Sequence, residues 1–563
     1  MERRMTTAES VDDLGQNPSD KDETRAGGAA GAPGAGDGPP ATIPAVLERA
    51  ARLWPGDEAV VDGDVRLTFS ELAAAADEVA RALVGSGVAA GDRVSIWAPN
   101  GYRWMVTALG IYRAGAVLVP VNSRFKGGEA AGLLRATRAR ILFTVTDFLE
   151  TDYAAAILAE PDLPDLAEVV VLDGPASPRT TRWDDFAARA AAVPAEATAA
   201  RAAALTGDSL SDIIFTSGTT GKPKGAMLAH GPSTRLYTAW ADVIGLGHGD
   251  RYLLVYPFFH TAGLKAGLLA TILVGTTLVP YPVFDVPAVM RLVGEERITM
   301  LPGPPAVYET ILNSDLTGYD LSSWRLAVTG AAPVSVELVR RLRADLGLRT
   351  VVTGYGLTET TGTVAMCRHT DDPELVARTS GRALEGVEIR VVDDAGKEVP
   401  RGEPGEILAR GFNIMKGYLD NPGTTAETID ADGWLRTGDI GVMDDGGNIA
   451  ITDRKKDMFI VGGFNAYPAE IEGMLAEHPA IAQVAVVGVP DERLGEVGMA
   501  YVVSRAGEPV PEPAEIISWA RRKMANYKAP RYVEIVDALP LNATGKVVRY
   551  ELRARAATTV RRS

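Results

Sequence analysis

Residues 213–225 read Ile213-Ile214-Phe215-Thr216-Ser217-Gly218-Thr219-Thr220-Gly221-Lys222-Pro223-Lys224-Gly225. The apolar run at the start of this stretch predicts a buried strand, because it is short, continuous and β-branched. The strand is followed by ten residues drawn only from Gly, Ser, Thr, Lys and Pro. Glycine backbone N–H groups, hydroxyl side chains and two lysines together suit a polyphosphate. The stretch therefore predicts an α/β fold with an anion-binding loop at a strand end.

The predicted loop differs from the phosphate loop of Walker-type nucleotide-binding proteins. Gly218 lies four residues before Lys222, which is a shorter spacing than that pattern requires. The alternative is a flexible surface loop with no ligand. Paired lysines and clustered hydroxyls directly after a buried strand favour the phosphate-binding interpretation.

The ten residues from Thr216 to Gly225, TSGTTGKPKG, resemble the signature of the adenylate-forming superfamily. This superfamily contains acyl-CoA synthetases, the adenylation domains of peptide synthetases, and luciferases. The resemblance extends over roughly residues 41–552. It implies a large N-terminal α/β domain of stacked sheets and helices, followed by a small mobile α+β domain. It also implies ATP-phosphate contacts at Thr216, Ser217, Gly218, Thr219, Thr220, Gly221, Lys222 and Lys224.

The composition narrows the class of protein. A chain of 563 residues is too long for one hydrophobic core, so we expect at least two domains. A net charge of −16 argues against non-specific binding to nucleic acid. Cys367 is the only cysteine, so no intrachain disulfide can form, which fits a reducing cytoplasm.

The sequence texture divides the chain into three parts. Residues 1–40 are rich in Asp, Glu, Gly, Ala and Pro and predict a disordered tail without a signal peptide. Residues 41–454 form the expected adenylation domain and residues 455–563 the mobile domain. The uncharged segment 266–284 is interrupted by glycine and proline, so we interpret it as a buried helix, a turn and a strand, with no stable membrane span.

A predicted hairpin brings two charged residues together. The turn Asp444-Asp445-Gly446-Gly447-Asn448 joins two apolar strands. Asp439 and Arg454 are equidistant from its centre, so they should lie at the same end of the hairpin. An exposed ion pair is the simpler explanation of such a pair. Both residues match motifs of the resembled family, which implies that Asp439 and Arg454 hold the ribose of ATP.

Residues 353–359, Thr-Gly-Tyr-Gly-Leu-Thr-Glu, resemble a second family motif. The alternative is a core tyrosine beside an exposed glutamate. The resemblance implies that Tyr355 contacts adenine and that Gly354 and Gly356 belong to the ATP/AMP-binding residues. It also implies that Thr358 contacts phosphate and that Glu359 binds Mg²⁺, for which carboxylate oxygens are preferred ligands. Gly330, Ala331, Ala332 and Pro333 resemble the loop beside adenine, although they would also suit an ordinary turn.

The last family motif is near the C-terminus. Pro540-Leu541-Asn542-Ala543-Thr544-Gly545-Lys546 resembles the segment that carries the catalytic lysine of the family. The resemblance implies that Lys546 bridges the α-phosphate and the substrate carboxylate, where a fixed cation stabilises the transition state. A solvated surface lysine is the alternative. Lys456 matches the hinge position between the two domains.

Gly462, Gly463 and Phe464 resemble the segment that faces CoA in the family. The stretch continues through Ala466, where the family more often has Val or Ile, to a proline that begins a helix. A glycine turn before a helix is the structural alternative, and it is compatible with the functional one.

The acyl pocket is assigned to His260, Gly263, Lys265 and Gly354. Phe258-Phe259-His260 occupies a motif in which amino-acid-activating domains usually carry Phe-Asp, so an amino acid substrate is not expected. Residues 257–267 and 301–305 are similar to actinobacterial CoA ligases for steroid-ring propanoates, and also to some fatty acyl-CoA ligases. Lys265 is either a ligand contact or a surface lysine with a buried stem.

These observations predict an ATP-dependent, Mg²⁺-dependent ligase that forms acyl-AMP from a carboxylic acid and transfers the acyl group to CoA. One alternative is an acyl-AMP ligase that loads a carrier protein. A non-catalytic acyl-nucleotide-binding protein is the alternative of another class, although the motifs of Lys546, Glu359 and Asp439 count against it. Nothing in the sequence specifies the oxygen chemistry of a luciferase. The acid and the oligomeric state are not determined, and a homodimer is left open.

Overall fold

The computed structural model of the chain describes residues 38–216, 223–330, 334, 336–393, 395–454, 459–466, 468–505, 509–540, 547 and 549–559. Its α-helices are, in chain order, α1 Ile43–Leu53, α2 Phe69–Gly85, α3 Tyr102–Arg113, α4 Gly127–Thr137, α5 Tyr153–Leu158, α6 Trp183–Ala187, α7 Ala195–Ala204, α8 His230–Ile244, α9 Thr261–Gly263, α10 Ala270–Val274, α11 Val286–Glu295, α12 Pro305–Leu312, α13 Val336–Ala344, α14 Pro373–Arg378, α15 Pro422–Thr428, α16 Pro468–Leu475, α17 Pro513–Lys523 and α18 Arg549–Thr559. Short 3₁₀ turns at Ala188–Ala192 and Thr358–Thr360 and a π-helical turn at Leu264–Leu269 complete the helical structure of these residues.

The strands alternate with the helices in the first two-thirds of the chain. They are β1 Glu58–Asp62, β2 Val65–Thr68, β3 Arg93–Trp97, β4 Val117–Pro120, β5 Ile141–Val145, β6 Glu168–Asp173, β7 Thr181–Arg182, β8 Leu210–Thr216, β9 Lys224–Ala229, β10 Arg251–Leu254, β11 Thr277–Pro280, β12 Leu326–Gly330, β13 Thr350–Tyr355, β14 Ala365–Met366, β15 Arg382–Ala383, β16 Val387–Val392, β17 Pro404–Gly411, β18 Leu435–Met443, β19 Ile449–Arg454, β20 Phe459–Val461, β21 Phe464–Ala466, β22 Ile481–Asp491, β23 Gly495–Ser504 and β24 Tyr532–Ile535.

The strand predicted at residues 213–215 lies within β8, inside a largely parallel sheet. The order of this sheet is β7-β6-β5-β3-β4-β8-β9. Only β9 runs antiparallel to its neighbour, with Thr216 opposite Lys224. Parallel strands buried on both faces read as continuous apolar runs, which explains why β8 could be recognised from the sequence. The ends of the phosphate loop are therefore adjacent on one hairpin.

A second sheet lies alongside the same core. Its strands run β10-β11-β1-β2 and β12-β13-β14-β15, and Met300 bridges the two halves by pairing with Tyr252 and Leu326. Buried side chains of this sheet and of the first one belong to one hydrophobic cluster. Mixed α/β architecture is thus confirmed for the large domain.

The predicted hairpin is confirmed and belongs to an antiparallel sheet of order β16-β17-β18-β19. Asp439 and Arg454 are direct partners across β18 and β19. Asp444 accepts the backbone N–H of Asn448 at 2.8 Å, and Gly447 has φ +76°, a conformation that favours glycine at a turn. The sequence predicted the hairpin but not the two further strands of this sheet, β16 and β17.

The small C-terminal domain has its own hydrophobic core. Buried residues from Phe459 to Ala556 form one cluster, and the sheet that supports it has the order β21-β20-β23-β22, with β24 on β23. Its pairing is antiparallel except between β23 and β24, as expected for an α+β domain. The boundary between residues 454 and 455 stays a prediction, since residues 455–458 lie outside the described part of the chain.

The uncharged segment at residues 266–284 folds as the sequence indicated. It contains α10, a turn at Gly275 with φ +72°, and the buried strand β11. Within the described residues, no helix is both long enough and apolar enough to cross a bilayer.

Candidate active site

A large cleft contains most of the described candidate residues. Its volume is about 1420 Å³, and both domains contribute to its walls. The large domain supplies the strand ends of both large sheets and the segment around Asp439, while the small domain supplies Gly462, Gly463 and Phe464. Ligands of open α/β sheets bind at the carboxyl ends of the strands. The cleft is therefore the candidate active site.

The phosphate side of the cleft is built on the ends of β8 and β9. The loop residues Ser217, Gly218, Thr219, Thr220, Gly221 and Lys222 lie outside the described residues, so their assignment stays a prediction. Thr216 and Lys224, which flank them, are paired across the hairpin. The ammonium of Lys224 lies 5.2 Å from the ring centre of Tyr418. The described ends of the loop thus open into the cleft.

Glu359 is held beside these loop ends. Its carboxylate accepts a hydrogen bond from the Tyr418 hydroxyl at 2.7 Å and one from the Thr216 hydroxyl at 3.4 Å. Its backbone oxygen accepts the N–H of Met415 at 2.8 Å. Thr358 begins the same 3₁₀ turn and is buried. These contacts fix one carboxylate next to the place where the phosphate loop starts and ends.

The donor set around Glu359 fits Mg²⁺ bound together with a nucleotide. Among the residues that the structure describes, there is no group of three or more acidic, cysteine or histidine side chains that could hold a metal alone. Mg²⁺ in nucleotide sites is usually bound by one or two carboxylates, while phosphates and waters complete its shell. A single carboxylate with a hydroxyl beside it is sufficient for this kind of site.

Tyr355 and Asp439, both predicted to bind the nucleoside part of ATP, meet on one wall of the cleft. The Tyr355 hydroxyl donates to Asp439 Oδ2 at 2.7 Å, and the Thr437 hydroxyl accepts the backbone N–H of Asp439 at 3.1 Å. Asp439 is only 5% exposed. The Arg454 backbone pairs with Asp439, but its side chain lies outside the description. The aromatic residue and the acidic residue predicted from separate motifs are thus brought into contact.

The glycines of the adenine motif have a packing role in addition to any ligand contact. Gly330 and Gly354 face each other on β12 and β13, and a Cβ atom at Gly330 would lie 2.9 Å from the Gly354 oxygen. A Cβ atom at Gly356 would lie 2.3 Å from the Gly362 oxygen. Ala331, Ala332 and Pro333 lie outside the described residues. Close backbone approach alone therefore requires glycine here.

His260, predicted to belong to the acyl pocket, lines the cleft. Its Nδ1 accepts the backbone N–H of Ala262 at 3.2 Å, so the ring caps α9. The side chain is exposed to the open space of the cleft, and desolvation by the protein around it lowers the pKa of the ring to about 4. The ring is therefore neutral at physiological pH.

Asn100 was missed at the sequence level, although it organises this acyl region. Its side-chain oxygen accepts the N–H of Phe258 at 2.9 Å, and its amide donates to the Tyr256 oxygen at 2.9 Å. Phe258 itself stacks on Trp104 with ring centres 4.7 Å apart. A lone asparagine 156 positions from its partner carries no local signal.

Gly263 and Lys265 require corrections. Neither residue lines the cleft. A Cβ atom at Gly263 would lie 2.2 Å from the Pro257 oxygen, so this glycine allows α9 to pack against the preceding loop. Lys265 is fully buried and forms an ion pair with Asp212, which is also fully buried. Both interpretations of Lys265, as pocket ligand and as surface lysine, are wrong because its ammonium has a partner on β8.

The predicted CoA face of the small domain lies on the cleft. Phe464 stacks between Tyr527, with ring centres 4.8 Å apart, and Phe259, at 6.4 Å. A Cβ atom at Gly463 would lie 3.3 Å from Pro304, and Gly463 has φ +86°. Lys546 and Lys456 lie outside the described residues, so their roles stay predictions. The described orientation thus presents Gly463 and Phe464 to the acyl end of the cleft.

Tyr418 is the other functional candidate that sequence reasoning missed. It follows Gly417 and precedes Asn421-Pro422, which indicated only a turn and the start of α15. Its contact with Glu359 spans 59 positions. No local pattern could have linked the two residues.

Comparisons with known proteins agree with the fold and the cleft. The model of the family described as AMP-binding enzyme matches residues 47–419, and that of the AMP-binding enzyme C-terminal domain matches residues 470–546. The chain therefore belongs to the AMP-binding enzyme family, in its acyl-CoA ligase branch.

Two relatives and one solved structure are similar to this chain over most of its length. The 3-[(3aS,4S,7aS)-7a-methyl-1,5-dioxo-octahydro-1H-inden-4-yl]propanoyl:CoA ligase of Rhodococcus jostii is 48% identical over 91% of this chain and 98% of its own length. The protein of the same name from Mycobacterium tuberculosis is 47% identical with the same coverage. Among solved structures, an o-succinylbenzoate CoA synthetase double mutant from Bacillus subtilis, bound with its product analogue OSB-NCoA, superposes with a TM-score of 0.76. It is 27% identical, and the match covers 90% of this chain and 97% of that one.

Proposed function

We propose that this enzyme joins a fused-ring propanoic acid to CoA in two steps, through an acyl-AMP intermediate. The observation that carries the proposal is the meeting of two sets of residues in one cleft. Glu359, Tyr355 and Asp439 come from the large domain, and Gly463 and Phe464 come from the small domain. The first set suits a nucleotide and the second set suits the thiol substrate. Acid, ATP and CoA are the substrates of the proposed reaction.

In the first step, an oxygen of the substrate carboxylate attacks the α-phosphorus of ATP. The bond between this phosphorus and the β-bridging oxygen breaks, and pyrophosphate leaves. We assign ribose binding to Asp439 and Arg454, adenine contact to Tyr355, and phosphate contact to Thr358 and the loop between Thr216 and Lys224. Lys546 donates hydrogen bonds to the charge that develops between the acid and the α-phosphate.

Mg²⁺ is part of this proposal, with Glu359 as its protein ligand. When bound, the ion neutralises phosphate charge and so favours departure of pyrophosphate. Glu359 is fixed for this role by Tyr418 and Thr216, because a carboxylate that already accepts two hydrogen bonds loses little freedom on binding a ligand.

In the second step, the thiol of CoA attacks the acyl carbon of the mixed anhydride. The thiol gives up its proton to solvent water, the bond between the acyl carbon and the phosphate oxygen breaks, and AMP leaves. Splitting one condensation into two displacements lowers each barrier. Gly463 and Phe464 form the wall along which the pantetheine arm would reach the acyl carbon. The positive φ of Gly463 favours glycine at this position, and glycine leaves the wall free of a side chain.

The relatives and the lining of the cleft both support a fused-ring propanoic acid as the substrate. The Rhodococcus jostii ligase is named for a propanoate on a fused ring system, and it shares almost half of its residues with this chain. The acyl end of the cleft is lined by apolar and aromatic side chains, which are Trp240, Tyr256, Phe259, Val283, Phe284 and Val307. Such a lining suits a rigid hydrophobic ring system. The neutral ring of His260 adds no charge that would attract an ammonium or repel the ring.

The test is ATP–pyrophosphate exchange across fused-ring propanoates, medium-chain and long-chain fatty acids, and aryl acids, each with and without CoA. We expect the fused-ring propanoates to give the highest rate constants and free CoA to consume the acyl-AMP. Acyl-AMP that persists with CoA but disappears with an acylatable carrier protein would favour carrier loading. Nucleotide binding without any exchange would favour a non-catalytic protein.

We also propose that the enzyme works in a reducing cytoplasm. Its single cysteine, Cys367, is buried, and one cysteine cannot form a disulfide within the chain. Light scattering after size exclusion distinguishes a monomer from the homodimer that the sequence leaves open.

A further inference from the structure

A lysine of the small domain lies between two carboxylates where the domains meet. Lys528 Nζ is 2.7 Å from Glu470 Oε1, and Glu470 belongs to α16 of the small domain. It is 2.9 Å from Glu129 Oε1, and Glu129 belongs to α4 of the large domain. The side chains of Lys528, Glu470 and Glu129 are 1%, 7% and 9% exposed. One ammonium thus links the two domains in a site closed to solvent.

The surroundings of Lys528 stabilise its charge. Its ammonium lies 4.3 Å from the ring centre of Phe125 in the large domain. Burial acts to lower the pKa of Lys528, but the neighbouring Tyr527, Glu129 and Glu470 raise it above its ordinary value. A buried charge that loses one of its partners is strongly destabilised. The contact with Glu129 therefore favours the orientation in which the two domains meet.

The linked lysine is adjacent to the CoA face. Tyr527, the preceding residue, stacks on Phe464, and its hydroxyl accepts a hydrogen bond from the Asn122 amide at 3.3 Å. Phe464 in turn stacks on Phe259 of the large domain. The ion pair and the aromatic contacts thus hold the same surface of the small domain against the cleft.

The two ion pairs of Lys528 differ in whether they depend on the orientation of the small domain. The pair with Glu470 lies within the small domain, so it persists in any orientation of that domain. The pair with Glu129 forms only when the small domain has the described orientation. A contact made in only one of two states shifts the population toward that state.

We propose that Glu129 is a positioning residue for the thioester-forming step: its carboxylate holds Lys528, and through it keeps Gly463 and Phe464 at the acyl end of the cleft. Glu470 keeps the ammonium oriented toward Glu129. This inference rests on the proposed two-step function and adds to it a residue distant from the reacting atoms. Without Glu129, the small domain spends less time in the orientation that admits CoA.

The test compares the two half-reactions in Glu129→Gln. We expect kcat/KM for CoA, measured with supplied acyl-AMP, to fall at least about 10-fold, since coupling of this kind is commonly worth roughly 5- to 150-fold. ATP–pyrophosphate exchange should stay within about twofold of the wild type. Glu129→Asp, which keeps the charge, should recover part of the loss. Equal losses in both half-reactions, or an unchanged thioester step, would overturn the proposal.

A matched control is available inside the small domain. Glu472 forms an ion pair with Arg549 at 2.6 Å, and both residues belong to that domain. Glu472→Gln removes a half-buried ion pair of similar type without touching the interface. We expect it to leave the ratio of the two half-reactions unchanged. If it separates them as strongly as Glu129→Gln does, loss of any ion pair is sufficient and the proposal fails.

A distance measurement tests the same inference without turnover. Ala136 of the large domain and Glu477 of the small domain are both exposed, and the only native cysteine, Cys367, is buried. Fluorophores on Ala136→Cys and Glu477→Cys therefore report the orientation of the domains. We expect Glu129→Gln to broaden or shift the transfer-efficiency distribution, and Glu472→Gln to leave it unchanged. An unchanged distribution in Glu129→Gln contradicts the proposal even if the wild type makes no acyl-AMP, so this result is distinct from failure of the proposed function.

Discussion

The hydroxyl of Tyr355 donates a 2.7 Å hydrogen bond to the carboxylate of Asp439, although 84 positions separate the two residues. One comes from the end of β13 in a mixed sheet, and the other from β18 in an antiparallel sheet. The bond therefore joins two separate sheets at the side of the cleft proposed to bind the nucleoside. It fixes the carboxylate of Asp439 relative to the ring of Tyr355.

Tyr355→Phe tests this preorganisation. Removing the donor leaves a carboxylate that is 5% exposed with one hydrogen bond fewer, and a hydrogen bond to a charged group is worth about 1.5–3 kcal/mol. We expect the apparent KM for ATP in pyrophosphate exchange to rise at least about 10-fold, while KM for CoA stays unchanged. Tyr532→Phe, on β24 of the small domain, serves as the matched control. A Tyr355→Phe enzyme with the wild-type KM for ATP would exclude a role in nucleotide binding.

Glu359→Gln tests the assignment of the metal ligand. The amide keeps the shape of the side chain but loses the charge that binds Mg²⁺. We expect acyl-AMP formation to slow by at least about 100-fold, as for loss of a group that stabilises developing charge. Conversion of supplied acyl-AMP to acyl-CoA should continue. Glu385→Gln, at an exposed position, is the control, and equal losses in the two half-reactions of Glu359→Gln would point to a folding defect.

Lys265→Met tests the buried ion pair below the cleft. Asp212 also accepts hydrogen bonds from Tyr112 and from Ser211, the latter at 2.6 Å, so loss of the ammonium leaves a buried carboxylate without a countercharge. We expect the free energy of unfolding to fall by about 3–5 kcal/mol, measured by urea denaturation. Asp212→Asn added to Lys265→Met should recover part of this loss, because the uncompensated charge is removed.

The exposed pair of Lys416 and Asp208 supplies the matched control for that measurement. Its side chains are 41% and 93% exposed, at a distance of 3.4 Å. Lys416→Met should therefore lower the free energy of unfolding by less than about 1 kcal/mol. Losses of similar size in Lys265→Met and Lys416→Met would contradict the importance assigned to burial.

The burial of His230 predicts that the free energy of unfolding depends on pH. It is fully buried, and burial lowers its pKa from 6.5 to about 4, with Asp212 opposing the shift and Lys265 adding to it. Between these two pH values the unfolded chain binds the proton more readily than the folded chain does. The contribution to stability is therefore complete above pH 6.5 and is lost as the pH falls toward 4.

The measurement is the free energy of unfolding as a function of pH. The contribution of His230 over this range is up to about 3 kcal/mol. We expect His230→Gln to give a shallower slope than the wild type, whatever its absolute stability. An unchanged slope in His230→Gln would mean that the buried histidine is not protonated on unfolding in this range.

The parts of the fold that the sequence predicted correctly are those with local signals. The apolar run before the phosphate loop predicted β8, and the Asp-Gly-Gly-Asn turn predicted the hairpin that pairs Asp439 with Arg454. Parallel buried strands and tight turns are specified within a few residues, so one sequence suffices to recognise them. The roles assigned to Lys546, Lys456 and Arg454 rest on motifs alone and stay predictions.

The parts that the sequence could not predict depend on distant pairs. Lys265 stood out as a polar residue in an apolar segment. Its partner Asp212 lies 53 positions away, so the sequence around Lys265 could not predict the ion pair. Glu129 and Lys528 are 399 positions apart. Such contacts follow from the packing of whole domains, because neither residue has a neighbour in sequence that indicates its partner.

The central claim is that one cleft forms acyl-AMP first and acyl-CoA second. A single-turnover experiment tests it most directly: enzyme, labelled ATP and a fused-ring propanoate are mixed without CoA, and CoA is added after the first reaction is complete. The account predicts acyl-AMP equivalent to the enzyme, converted to acyl-CoA and AMP on addition of CoA. Lys546→Ala should form no acyl-AMP but convert acyl-AMP that is supplied. Acyl-CoA that forms with no acyl-AMP intermediate, or acyl-AMP that CoA does not consume, would contradict the account.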